Sequence, residues 1–231
     1  MSNALAGGSG FASKVASFLH EVDYSLVTSR ADIEAVRRLR YAANLREGNI
    51  EPNAAGVLAD RFDDMPNCYN VAVLVRGELC AALRMHLLCD SFPDSPLMHA
   101  YPDITPGKLA SGARIIDITR LVADYDKARL HPYLPYATVR LSMLAATHFE
   151  ADLILAAVRK EHLPFYRREF RAEPLTQPRP YPMLIKPLAL FQIDLRAVGA
   201  EIVARHPFHA SQASERERLF GCVHAHSLED A

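Results

Sequence analysis

The sequence predicts one domain of mixed α/β class, with an antiparallel first half and a β-α-β unit in the second. Three observations carry this. Asn70–Val75 and Leu79–Leu88 are apolar runs on either side of Arg76-Gly77-Glu78, the pattern of a hairpin. Pro135–Glu150 places Val139, Met143, Ala146 and Phe149 on one helical stripe. Leu153–Val158 follows as a short, continuously apolar run, typical of a buried central strand. No internal repeat or low-complexity linker divides the middle of the chain.

Met1–Phe11 is rich in Gly, Ser and Ala, the first cation is Lys14, and the apolar stretch after it breaks at His20 and Glu21. This is a poor export signal, and residues 1–20 read as a flexible leader to a domain over 21–231. Ser29-x-x-Asp32 resembles a capping box, Ile33, Val36, Leu39 and Ala43 recur at helical spacing, and Gly48 is a stop. Cys89–Gly112, with four prolines, reads as a long loop. Arg114–Val122 reads as a strand, Glu161–Arg171 as a helix and Leu188–Leu195 as a late strand. Leu195–Ala204 and Ser214–Phe220 read as closing helices.

The 231 residues carry 26 Lys plus Arg against 27 Asp plus Glu, a net charge of −1 that excludes a general nucleic-acid binder. No apolar run approaches the roughly 20 residues that span a bilayer. Cys68, Cys80, Cys89 and Cys222 form no C-x-x-C pair and read as reduced thiols, the usual cytoplasmic state. There is no nucleophile elbow, phosphate loop, dinucleotide fingerprint or zinc-binding helix, and no Cys or His spacing that would hold a metal. From Gly112 to Gly199 there is no intervening glycine, hence no glycine cradle for a pyrophosphate.

What stands out is charge within apolar elements: Arg40 in the first helix, Asp60 and Asp63 in A-D-R-F-D-D, Arg84 in mid-strand, and Asp117 with Arg120 in I-I-D-I-T-R-L-V. Buried charges need partners. These six form either an ion-pair brace or the floor of an active site. In a regular strand Asp117 and Arg120 face opposite sides, and a bulge would realign them.

Leu39–Tyr41 (L-R-Y), Asp60/Asp63, A-L-R at Arg84, S-P-L-M-H around Met98, and Asp117/Arg120 resemble, in order and near-spacing, the acyl-homoserine-lactone (autoinducer) synthases, a branch of the GNAT acyltransferase fold. Leu134–Arg140 (L-P-Y-A-T-V-R), A-A-T-H-F-E-A-D, A-A-V-R-K-E-H-L-P-F-Y-R-R-E-F and P-R-P-Y-P-M-L are similar to their relatives, the long-chain N-acyl amino acid synthases of N-acyltyrosine type. The resemblance covers about Ile33 to Leu195. Asn44 and Ile50 stand where lactone synthases carry Phe and Trp, and Asp117 where they carry Glu; these departures favour the amino acid synthase branch.

The resemblance implies a GNAT-like α/β fold, a central mixed sheet with splayed parallel strands at Arg114–Val122 and Leu153–Val158, flanked by helices. It implies transfer of a fatty acyl group from acyl-phosphopantetheine on acyl carrier protein to the α-amine of an amino acid, with no tightly bound cofactor. The lack of a glycine turn over Ala123–Tyr136 is consistent with that donor. The alternatives are a lactone-type synthase and a non-catalytic GNAT-like module that binds acyl chains or carrier protein. Asp117, or a water it orients, is the candidate proton acceptor; an Asp beside Arg120 would have its pKa lowered, so bracing is the other role. Arg84 and Arg120 are candidates for the acceptor's carboxylate, and Arg40 for tying the first helix over the site, with Asp60 and Asp63. Tyr166 is the candidate donor to the leaving thiolate or a core aromatic, and His162 reads as structural. Met98 is a candidate for the substrate's apolar contacts, and Leu141, Met143, Leu144, Leu153, Ile154, Leu155 and Phe165 either line a tunnel for the acyl chain or form a normal core. Arg159, Lys160, Arg167, Arg168 and Arg171 form a basic stretch that either docks an acidic carrier protein or is a solvated face. A peripheral membrane contact would come through the lipid product.

Overall fold

The computed structural model describes residues 6–221, with side chains from residue 10 onward. The first element is a helix, α1 (Ala6–Leu19), where the sequence led us to expect a flexible leader. Phe11, Val15 and Phe18 recur at helical spacing; Val15 and Phe18 are buried, and the Phe11 ring meets Tyr136 edge-on at 4.9 Å. Residues 1–5 and Cys222 lie outside the described residues.

A short strand, β1 (Val22–Leu26), leads to α2 (Arg30–Arg46). Ser29 caps α2 as expected, accepting from Asp32 N at 3.1 Å while its hydroxyl donates to the Asp32 carboxylate. Strands β2 (Cys68–Val75) and β3 (Glu78–Leu88) form the expected hairpin. Its turn places Arg76 and Gly77 both at positive φ, 51° and 81°, the conformation that two-residue hairpin turns demand. The expected loop after β3 instead contains α3 (Pro96–Ala100) and α4 (Thr105–Ala110), each with proline in its first turn, where the missing N–H costs nothing.

Strand β4 (Ile115–Ala123) is followed by α5 (Tyr125–Leu130), α6 (Leu134–His148) and β5 (Leu153–Val158). The expected helix over Glu161–Arg171 is a 3-10 turn at Lys160–His162 and then α7 (Leu163–Phe170), ended by Arg171 at φ 55°. Strands β6 (Glu173–Pro174), β7 (Arg179–Tyr181) and β8 (Leu184–Asp194) precede α8 (Leu195–Arg205) and α9 (Ala213–Phe220).

The strands form one mixed sheet in the order β1-β2-β3-β4-β5-β8-β6, with β7 on β8. Among the described strands only β4 and β5 pair in parallel. One face, through Leu83, Met85, Ile116, Ile118, Ile154 and Phe191, packs on α6, which is buried almost all round. The other carries α2 over Ala72, Ala82 and Val122, and α3 with α4 over Leu88, Ile115 and Leu155.

Two departures from regular pairing shape the centre of the sheet. Pairing of β3 with β4 shifts between Ala82↔Val122 and Arg84↔Thr119, so Arg120 and Leu121 face one residue, Leu83. This is a β-bulge, and Arg120 sits in it at φ 53°. Pairing of β4 with β5 runs from Ile115↔Leu153 to Ile118↔Ala156 and stops, although both strands continue. Beyond that point the two parallel neighbours part.

Candidate active site

The charged residues begin as a capping motif. Asp60 caps the 3-10 turn Arg61–Asp64, its Oδ1 accepting from Phe62 N at 3.0 Å, and Asp63 Oδ2 accepts from Asp60 N at 3.3 Å. Each carboxylate keeps an oxygen that faces the sheet. From α2, Arg40 donates to Asp63 Oδ1 at 2.7 Å and to Asn70 Oδ1. From β3, Arg84 donates to Asp63 Oδ1 at 2.9 Å, Asp60 Oδ2 at 3.1 Å and Thr119 Oγ1 at 3.0 Å. From the bulge, Arg120 donates to Asp60 Oδ2 at 2.7 Å.

Five of the six predicted charges therefore form one network, and Arg40 ties α2 over the sheet as expected. Arg40 and Arg84 are each 1% exposed, which makes this a buried network rather than a solvated one. Burial opposes ionisation of Asp60, but Arg84 and then Arg120 outweigh it and hold its carboxyl well below the usual range. For Asp63 the same contest is won by Arg40 and Arg84. Three guanidinium groups against two carboxylates leave one excess positive charge beside the bulge.

Asp117 does not join them. It shares the sheet face of Arg84 and lies opposite His86 in the β3–β4 ladder. Its Oδ2 accepts from Leu97 N, at the start of α3, at 3.0 Å. Its pKa is pushed up to about 6 by complete burial, against Ser95, Leu97 and Arg84, which favour the charged form. This corrects the expectation of an Asp117–Arg120 pair with a lowered pKa: the bulge does turn Arg120 onto this face, but toward Asp60. His86 is also fully buried, bonded through Nε2 to Phe62 O at 2.9 Å, and burial followed by Arg84 lowers its pKa to about 4.

A cavity of about 580 Å³ occupies the place where β4 and β5 part. Its wall includes Ile118–Ala123 from β4 and Ala156–Val158 from β5. On the α6 side it is lined by Val139, Ser142, Phe165, Tyr166, Phe170 and Ile193, and on the α2 side by Asn44, Arg46, Glu47, Asn49, Arg120 and Tyr181. Residues from both faces of the sheet line one space, which therefore runs through the sheet, apolar at one end and polar at the other. Tyr166 lies in the apolar half, 5.0 Å from the Phe191 ring, and burial raises its pKa to about 12, so the phenol is protonated.

Phe165 and Ile154 line this cavity as expected, whereas Leu141 and Leu144 are completely buried core residues and Met143 packs with them. Leu153, Leu155 and Met98 belong to the cluster under α3 and α4, away from the cavity wall. The basic stretch divides. Arg159 lines the cavity and pairs with Glu47 at 2.6 Å; Arg171 pairs with Glu201 at 2.6 Å; Arg168 reaches the Tyr136 hydroxyl at 3.4 Å; Lys160 and Arg167 are exposed. His162, expected to be structural, lines the cavity, and its Nε2 accepts from the Arg159 guanidinium at 2.7 Å. Asn49, Asn70, Thr119 and Tyr181 were not singled out from sequence, since a neutral polar side chain in a strand or loop does not stand out as a buried charge does.

A family model described as "N-acyl amino acid synthase FeeM" matches residues 35–194, more than two-thirds of the chain and every residue that lines the cavity. The chain belongs to the FeeM family. It is accordingly an amide-forming acyltransferase. The solved structure of FeeM, an N-acyl amino acid synthase from uncultured soil microbes, superposes with TM-score 0.66 at 11% identity, over 81% of this chain and 97% of that one. The CoA-dependent acyl-homoserine lactone synthase BjaI gives 0.57 at 16% identity, over 87% and 99%. An acyl-CoA N-acyltransferase from Pseudomonas aeruginosa gives 0.50 at 15%, over 74% and 97%. At these identities the likenesses speak for the fold alone, a GNAT-type mixed sheet flanked by helices. No curated protein matches the sequence. No described helix is long and apolar enough to cross a membrane.

Proposed function

We propose that this enzyme transfers a long-chain fatty acyl group from the thioester of an acyl carrier protein to the α-amine of an amino acid. The observation that carries this is the cavity through the sheet. Its apolar half takes the acyl chain, where each buried CH₂ contributes about 0.8 kcal/mol. Its polar half takes the acceptor, whose carboxylate complements the excess positive charge at Arg120. The thioester carbonyl lies between them, at the level where β4 and β5 lose their pairing and main-chain N–H groups are free to donate to the developing oxyanion.

The amine nitrogen attacks the carbonyl carbon, the carbon–nitrogen bond forms, the carbon–sulfur bond breaks, and one N–H proton ends on the departing thiolate. Placement of the two substrates supplies much of the rate, so no side-chain nucleophile is required. Tyr166, held neutral in the apolar half, relays that proton: its hydroxyl gives one proton to sulfur and regains the one lost by nitrogen. Asp60 and Asp63, held ionised by their guanidinium partners, orient Arg84 and Arg120. Asp117 is not on the cavity wall; its place behind Tyr181, bonded to Leu97 N, supports the bracing role, with β4 and α3 fixed against each other.

The docking face for the acidic carrier protein is Lys160, Arg167 and Arg168, beside the cavity. Arg159 is engaged with Glu47 and Arg171 with Glu201. Expression in a bacterial host, with mass spectrometry of lipid extracts, tests the reaction: N-acyl amino acids are expected. Lactones, or an unchanged lipid profile, would overturn it. Purified enzyme given acyl carrier protein or coenzyme A thioesters of one chain then decides the donor.

A further inference from the structure

Asn49 lies beyond the end of α2 with only 8% of its surface exposed, and its backbone is fixed from two sides. Its N–H donates to Asn44 O at 2.8 Å, and its carbonyl accepts from Ile185 N at 2.8 Å. Its side chain stands in a directed relay. Asn44 Nδ2 donates to the Arg40 carbonyl at 2.8 Å, and Asn49 Nδ2 donates to Asn44 Oδ1 at 3.2 Å.

The relay has only one self-consistent direction. A main-chain carbonyl accepts and cannot donate, so Asn44 must turn its NH₂ toward Arg40. The Asn44 oxygen then faces Asn49, and Asn49 must answer with its own NH₂. The Asn49 Oδ1 is left as a hydrogen-bond acceptor outside the relay, and it is buried without a partner among the described residues. Asn44 and Asn49 both line the polar half of the cavity, whose wall Arg120 also forms.

We propose that Asn49 Oδ1 accepts a hydrogen bond from the acceptor amino acid and determines which acceptors are used. The inference rests on the reaction proposed above and names the recognition chemistry on its acceptor side. The ligand is an amino acid that presents an N–H or O–H to this oxygen, either from its α-amine or from a donor on its side chain. A buried acceptor fixed in direction discriminates well, because a substrate without the donor leaves the oxygen dry and unpaired. Arg120, on the wall of the same cavity, takes the carboxylate, so the two groups read opposite polarities of one small molecule.

The test is steady-state kinetics of the purified full chain with an acyl carrier protein thioester and two acceptors, tyrosine and phenylalanine. Asn49→Leu is expected to raise the acceptor KM at least tenfold and to leave the KM for the thioester within about twofold. Asn44→Ala, which frees the Asn49 amide to rotate, is expected to raise the acceptor KM several-fold and to serve where Asn49→Leu fails to fold. If wild type prefers tyrosine and the variants lose that preference, the donor is the side-chain hydroxyl; an equal loss with both acceptors assigns it to the α-amine. Wild-type turnover with acceptor KM unchanged in both variants would overturn the inference while sparing the reaction. A wild type that forms no amide with any amino acid would overturn both.

Discussion

Arg120 donates to Asp60 Oδ2 at 2.7 Å from a residue whose own backbone is turned to φ 53°. The two facts are one arrangement, because in an unbulged strand this side chain would leave by the opposite face of the sheet. Positive φ in a non-glycine residue is strained, of order 1 kcal/mol or more, and is retained where the surroundings fix it. Here the fixing contact is a buried carboxylate, and the result is a cation beside the gap between β4 and β5.

Removing Arg84 leaves both Asp60 and Asp63 short of a partner in a buried setting. Arg84→Ala is expected to cost about 3–5 kcal/mol of stability and to abolish acyl transfer. Arg120→Ala, which leaves Asp60 its contacts with Arg84, is expected to cost less and to act mainly on the acceptor KM. Urea unfolding and steady-state kinetics on both variants check the contrast, and equal destabilisation would contradict it.

Asp117 and the Asp60/Asp63 pair have opposite pH signatures. The Asp117 pKa rises from 3.8 to about 6 on folding, so its burial destabilises the protein at pH above 6, on the order of 3 kcal/mol, and the penalty disappears as pH falls toward 3.8. Asp117→Asn is therefore expected to melt higher than wild type at pH 7.5 and equally near pH 4. Its amide oxygen keeps the Leu97 contact, so activity should stay within about tenfold; a loss beyond a thousandfold in folded protein would instead assign Asp117 to proton transfer. Asp60 and Asp63, whose folded pKa values are depressed, stabilise the fold above their ordinary range and lose that contribution as pH falls below about 4.

Tyr166→Phe removes one hydroxyl from a ring whose packing on Phe191 persists. It is expected to lower kcat by about 10²-fold, with both KM values little changed. An unaltered kcat would make Tyr166 part of the cavity wall only.

Val139 faces the apolar half from α6. Val139→Phe should shorten the acyl chains found in the products by two or more carbons, read by mass spectrometry of lipid extracts. A chain-length distribution like that of wild type would place the acyl group elsewhere.

Arg167→Glu with Arg168→Glu is expected to raise the KM for acyl carrier protein thioesters tenfold or more, an effect that shrinks with added salt, and to leave coenzyme A thioesters unaffected. Equal effects on both donors would remove this face from carrier recognition.

The hairpin, α2 with its Ser29 cap, the α6–β5 unit and the closing helices were legible because each has a local cause: a turn, a cap, a stripe or an apolar run. Helix α1 was not, since its Gly/Ser/Ala composition hides the Phe11, Val15 and Phe18 stripe that pins it to the core. The charged residues announced themselves as charges in apolar surroundings, and five of them do meet. Their partners were not legible, because the bulge at Arg120 depends on pairing with β3 and the elevated Asp117 pKa on the covering by α3. The same applies to the acyl-side residues: Leu141 and Phe165 are alike in sequence, and only the parting of two strands decides which of them meets the cavity.

That parting is a property of the main chain. β4 and β5 cease to pair after Ile118 and Ala156, so the groups left unpaired there belong to the backbone, which every residue type carries. A fold can thus persist while nearly nine positions in ten differ, as the 11% identity with FeeM at TM-score 0.66 records.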